Sequence, residues 1–158
     1  MSPNNRRLAL ISTKGSLDMA YPPFILASTA AALGYEVGIF FSFYGLQLLR
    51  KSLDHLRVSP LGNPAMPMPV PMPTLAAAIP GAESLATHMM KSKMKTKGIA
   101  SLEELREVCQ QSGVRLIACD MTMNMFDFEY SDFIDGVEIG GAATFLDFAA
   151  DADIQLFV

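Results

Sequence analysis

The residues best suited to covalent chemistry are two cysteines, Cys109 and Cys119, ten positions apart. Cys119 stands where the apolar run RLIAC (115–119) gives way to the Met-rich stretch DMTMNM (120–125). A thiolate attacks sulfane sulfur, carbon and soft metals, whereas a protonated thiol does so poorly. A cysteine between a strand and a helix sits near free amides and the positive end of the helix dipole, which favour the thiolate. Asp120 opposes this unless its carboxylate turns aside to cap the helix. Free cysteine is also among the most buried residue types, so an inert, strand-end Cys119 stands beside the reactive one. Cys109 falls on the apolar face of SLEELREVCQQSG, and its default role is core.

Binding groups are expected near Cys119 because ligand sites in parallel sheets collect at the carboxyl ends of the strands. Three loops are predicted to meet there, at 13–16, 42–45 and 119–123. Gly140 and Gly141 open the last helix on the same edge. From these come Lys14 and Gly15 in "TKGS", Tyr44, Met121, Gly140 and Gly141 as candidate substrate-binding residues. "TKGS" lacks the spacing of a phosphate-binding P-loop, so Lys14 is read as one positive charge near the thiol.

His55 and His88 lack partners at zinc-ligand spacing. Met66, Met68 and Met72, interleaved with prolines, carry thioethers that suit Cu(I), but also suit an adaptable apolar surface. The second reading is adopted, so neither a metal nor a cofactor is expected. Lys91, Lys93, Lys95 and Lys97 read as a solvated helix end.

Composition bounds the rest. The chain has 158 residues, 51% hydrophobic and 18% charged, with a net charge of −4. That suits one globular domain over 1–158 and argues against a nucleic-acid binder, which carries a basic face. Two cysteines make no disulfide framework, which points to a reducing, cytoplasmic setting. The N-terminal apolar run is too short for a secretion signal. The apolar stretch 19–49 has the length to span a bilayer, but Pro22, Pro23, Gly34 and Glu36 break it into a buried helix and a buried strand.

Positioning these groups requires alternating strands and helices. Strands are predicted at 7–12, 35–41, 114–119, 137–139 and 154–158. Helices are predicted at 16–33, with Pro22 and Pro23 near its start, and at 81–94, 101–112, 121–126 and 140–150. Ser101 with Glu104 makes a capping box, and Leu102, Leu105, Val108 and Cys109 mark its helix's apolar face. A Pro/Met-rich and Lys-rich insertion occupies about 60–98. The expected fold is a three-layer α/β/α domain with a mainly parallel five-stranded sheet. Helix and strand rise then put Cys109 and Cys119 at heights differing by on the order of 10 Å. A disulfide does not tolerate that offset, which disfavours a thiol-dependent reductase.

The blocks "FFSFYGLQLLRK", "NPAMPMPVPMP", "SLEELREVCQQSGVRLIACDMTMNM" and "DGVEIGGAATFLDFAADADIQLFV" resemble the DsrE/DsrF-like sulfur-relay family. They are most similar to its DsrE2-like branch, often labelled peroxiredoxin-family. The resemblance runs over nearly the whole chain. It implies a homo-oligomeric, cytoplasmic sulfur carrier that holds persulfide or thiosulfonate on cysteine. Its implied partners are TusA-like and rhodanese-like proteins. The family's carrier cysteine, placed at the end of the central strand, matches Cys119. A second cysteine found in thiosulfate-handling relatives matches Cys109. Some branch members have membrane-spanning segments, and this chain lacks a clean one. The peroxiredoxin label transfers poorly, since neither cysteine lies in a Thr-x-x-Cys motif. The competing reading is a non-catalytic oligomeric module with structural cysteines.

Overall fold

The computed structural model describes residues 6–59, 75 and 78–158. Its strands are β1 (Arg7–Ser12), β2 (Glu36–Phe41), β3 (Arg115–Cys119), β4 (Glu138–Gly140) and β5 (Ile154–Phe157). The helices are α1 (Leu17–Ala32), α2 (Ala82–Thr96), α3 (Leu102–Gln111), α4 (Asp120–Met125) and α5 (Ala142–Ala149), with a 3-10 helix at Phe43–Leu49. The five strands form one sheet in the order β4-β3-β2-β1-β5. Every pairing is parallel. β2 is therefore the middle strand, and β3, which ends in Cys119, lies between it and the edge strand β4.

The order decides which face each helix covers. Steps from β1 through β4 run one way across the sheet, and the step to β5 runs back. Right-handed crossovers consequently place α5 on the opposite face from α1 and α3. Side chains confirm both layers. Phe24 of α1 packs on Phe41 of β2 at 5.9 Å between ring centres. On the other face Phe40 of β2 stacks on Phe145 of α5 at 5.2 Å, and Arg7 and Arg115 lie over the Phe148 ring at 4.7 and 5.0 Å. A Cβ on Gly38 would stand 2.6 Å from that ring, so glycine lets α5 close onto β2.

Local signals explain most boundaries. The α3 capping box forms as expected, with Ser101 Oγ accepting from Glu104 N–H and Glu104 accepting from Ser101 N–H. Three details differ from expectation. α1 begins at Leu17, so Pro22 and Pro23 fall in its interior rather than its first turn. Their missing N–H groups leave the carbonyls of Asp18 and Met19 without intrahelical donors. Val108 is 45% exposed, whereas Arg106 is buried at 6%. The Arg106 guanidinium reaches inward to donate to the Leu48 and Arg50 carbonyls at 2.9 and 2.6 Å, so a charged residue takes the place an apolar one was expected to hold. Of the predicted insertion, α2 is helical from Ala82 to Thr96. The Pro/Met tract with Met66, Met68 and Met72 lies outside the described residues.

Candidate functional site at the carboxyl edge of the sheet

β1, β2 and β3 all end on one edge, and their following loops are bonded to one another. After β1, the Gly15 backbone packs so closely on the 3-10 helix that a Cβ there would stand 2.5 Å from the Tyr44 carbonyl oxygen. A Cβ on Gly45 would stand 2.1 Å from the Ser12 carbonyl oxygen. After β2, Ser42 Oγ and Thr122 Oγ1 lie 3.2 Å apart, and the same Thr122 hydroxyl accepts from Phe43 N–H at 3.2 Å. Phe43 sits in the left-handed region at φ 48°, a conformation a bulky residue holds only when its surroundings fix it. The Thr122 bond supplies part of that constraint.

Cys119 closes β3 in register with Gly140 of β4. Strand alternation puts its side chain on the α5 face, with Ile117 and Arg115. It is a free thiol, 4% exposed. Thr144 of α5 stands directly over its neighbour Gly140, where a Cβ would meet three Thr144 side-chain atoms at 3.0 Å. Asp120 turns its carboxylate back onto the start of α4, accepting from Met121 N–H at 2.7 Å. The same carboxylate lies 3.4 Å from the place a Gly141 Cβ would occupy. The last-helix opening, Gly140–Gly141, and the β3 exit are thus one cluster.

Cys109 belongs elsewhere. It is fully buried on α3 and donates to the Phe24 carbonyl of α1 at 3.6 Å. It lies on the α1 face of the sheet, while Cys119 lies on the α5 face. The sheet itself separates the two sulfurs, a stronger barrier to pairing than a difference in height. Burial also pushes the Cys109 thiol up to about 11, which keeps it protonated at neutral pH.

On the same edge lies a groove of about 680 Å³, lined by Ile11, Phe40, Phe145, Leu146, Phe157 and Ala142, with Thr13, Lys14, Ser42, Phe43 and Tyr44. It meets the Cys119 cluster through Ser42, bonded to Thr122, and Ala142, next in the chain to Gly141, while Cys119 itself is not among the lining residues. Of the predicted binding residues, Lys14 and Tyr44 line it. Gly15 backs Tyr44, Gly140 and Gly141 adjoin Cys119, and Met121 is 61% exposed on α4 away from the groove lining. Phe145, Leu146 and Phe157 carry no site signal in the sequence, where they look like ordinary helix and strand hydrophobics. Only the return of β5 beside β1 brings them to this edge. Among the described residues, no three His, Cys, Asp or Glu side chains are grouped to hold a metal ion. None of the described helices is long and apolar enough to cross a membrane.

Comparison with known proteins agrees with this architecture. The chain is 60% identical to the sulfur carrier protein DsrE2 of Allochromatium vinosum over 157 residues, covering 97% of this chain and 98% of that protein. It is 27% identical to the uncharacterized protein YrkE of Bacillus subtilis, each covered in full. Among solved structures, the ychN protein of E. coli superposes with a TM-score of 0.54 at 12% identity, over 97% of this chain and 99% of that one. MTH1491 of Methanobacterium thermoautotrophicum, a protein of unknown function, does so at 0.50 and 11% identity, with the same coverage. At such identities the structures speak for the fold alone. Residues 4–157 match the DsrE/DsrF/DrsH-like family. The chain belongs to that family.

Proposed function

We propose that this chain is a sulfur carrier in which the Cys119 thiolate attacks the sulfane sulfur of polysulfide or thiosulfate to form a persulfide, with the shortened polysulfide or sulfite leaving, or attacks tetrathionate to hold a thiosulfonate, with thiosulfate leaving, and then passes that sulfur to a cysteine of a partner protein. The observation that carries the reading is the place of Cys119. It is a free thiol at the carboxyl end of a parallel strand, in register with a glycine, on the sheet edge where a groove lined by Lys14 also opens. The 60%-identical relative named a sulfur carrier supports a sulfur-relay role in general. Attack requires the thiolate of Cys119. Transfer requires that the outer sulfur then meet a second thiolate, which displaces Cys119 as leaving group. Gly140 adds no side chain beside the sulfur, and Lys14 supplies positive charge on the same edge. Cys109, protonated and on the far face, serves the helix packing in this reading and enters no transfer step. TusA-like and rhodanese-like partners, a homo-oligomer and a cytoplasmic setting complete the proposal.

The near-complete burial of both cysteines favours one competing reading, a binding module whose thiols are structural. Incubation with thiosulfate, tetrathionate or polysulfide, followed by intact mass measurement, separates the two. Wild type and Cys109→Ser gain sulfur and Cys119→Ser does not if Cys119 is the carrier. A wild type that gains nothing, and whose Cys119 resists iodoacetamide while folded, fits the structural reading instead.

A further inference from the structure

The groove on the Cys119 edge of the sheet has a mainly apolar lining. Its walls are aromatic and aliphatic, with Phe40 stacked on Phe145, and Leu146 and Phe157 at 63% and 68% exposure on its rim. Its polar lining residues are few, Thr13, Lys14, Ser42 and Tyr44, and the Ser42 hydroxyl is already paired with Thr122. Among the described residues Lys14 has no ion pair. The groove is open to solvent rather than enclosed, but like organic-ligand sites it pairs apolar walls with a few orienting polar groups. Thiosulfate alone would leave the rings uncovered and find one cation.

We propose that the groove binds an organic anion with an apolar body and a sulfonyl-type head, and that the sulfur donor of Cys119 is an organic thiosulfonate of this class. This rests on the sulfur-carrier reading for its second half only. The apolar body lies against Phe145, Leu146 and Phe157, and the anionic head pairs with Lys14. The Cys119 thiolate attacks the terminal sulfur of R–SO₂–S⁻. A bond forms between Cys119 Sγ and that sulfur, and the bond from sulfonyl sulfur to terminal sulfur breaks. The electron pair leaves with the sulfinate R–SO₂⁻. Two monoanions enter, and two monoanions, the cysteine persulfide and the sulfinate, emerge. The proton of the resting thiol passes to solvent, and no external oxidant or reductant is consumed.

The test uses benzenesulfonate, which cannot transfer sulfur, together with benzenethiosulfonate and inorganic thiosulfate. Calorimetric titration of wild type with benzenesulfonate should show saturable binding. Lys14→Gln should weaken it about tenfold, the value of one charge-assisted contact. Leu146→Asp, an exposed change that puts a carboxylate on the rim, should abolish it. Benzenethiosulfonate should load Cys119 faster than thiosulfate in wild type, and both variants should erase that advantage. Absent binding, or binding indifferent to both variants, overturns the groove. A Leu146→Asp variant that changes oligomeric state without changing benzenesulfonate affinity also overturns it, showing that a second copy covers the face. Binding that both variants reduce, with thiosulfate or polysulfide loading Cys119 at least as fast as benzenethiosulfonate, keeps the organic-anion site and the sulfur-carrier reading and overturns the donor assignment. No loading by any of these donors or by tetrathionate overturns the sulfur-carrier reading as well.

Discussion

Ser42 Oγ and Thr122 Oγ1 lie 3.2 Å apart, both buried, and tie the loop leaving β2 to the helix that follows Cys119. Because Thr122 also accepts from Phe43 N–H, one hydroxyl holds a strained backbone and the exit of the thiol-bearing strand. Thr122→Val keeps the shape and deletes both bonds. It should cost about 2 kcal/mol, the usual penalty for stranding buried polar groups. Urea denaturation should show a lowered midpoint with an unchanged slope, and Thr122→Ser should recover most of the loss.

Gly45 tolerates no side chain. Its Cβ would stand 2.1 Å from the Ser12 carbonyl oxygen, backbone against backbone. Gly45→Ala should therefore displace the 3-10 helix from β1 and sharply reduce the yield of folded protein. Gly113→Ala, at φ +76° with open space around it, should cost only about 1 kcal/mol. Thermal melts of the two variants side by side check the contrast.

Arg106 is a buried guanidinium whose hydrogen bonds go to carbonyls, chiefly those of Leu48 and Arg50. Desolvation pulls its pKa down, against a smaller opposing pull from Glu103. Arg106→Met fills similar volume but strands the carbonyls at the end of the 3-10 helix. A loss of about 3 kcal/mol is expected, read by chemical denaturation. A neutral result would mean that those carbonyls find water when the arginine goes.

Cys109 gives a pH signature. Its native thiol is held up at about 11, against an ordinary value of 9.0. Below pH 9 both folded and unfolded thiols are protonated, and the group contributes nothing to the pH dependence. Between pH 9 and 11 the unfolded thiol ionises while the native one stays protonated, so the unfolded state binds fewer protons and stability falls as pH rises. Cys109→Ala should flatten the stability profile over that window relative to wild type. The measurement is a series of denaturation curves from pH 8 to 11.

Much of this was legible from residue order, and the exceptions have physical causes. The alternation of apolar runs and helical segments marked every strand within a residue or two, and Ser101 with Glu104 fixed the start of α3. The glycines at 15, 45, 140 and 141 marked the edge where loops approach closely, although not which backbone each one meets. What escaped notice depends on strand order. Nothing local tells β5 to return beside β1, so the groove walls contributed by Leu146 and Phe157 could not be read along the chain. Nor does local pattern reveal that Cys109 and Cys119 lie on opposite faces, since that follows from the handedness of the crossovers. Arg106 was hidden for a different reason, because its charge is neutralised by no carboxylate but dispersed over backbone carbonyls from a distant turn.

Sulfur on Cys119 is read out by tryptic mapping of protein treated with polysulfide and then alkylated without reductant. Cleavage after Arg106 and Arg115 leaves Cys109 in peptide 107–115 and Cys119 in the C-terminal peptide that begins at Leu116. If Cys119 is the carrier, the C-terminal peptide gains a sulfur atom and 107–115 gains none. Added sulfur confined to 107–115, or found on neither peptide, would contradict that role.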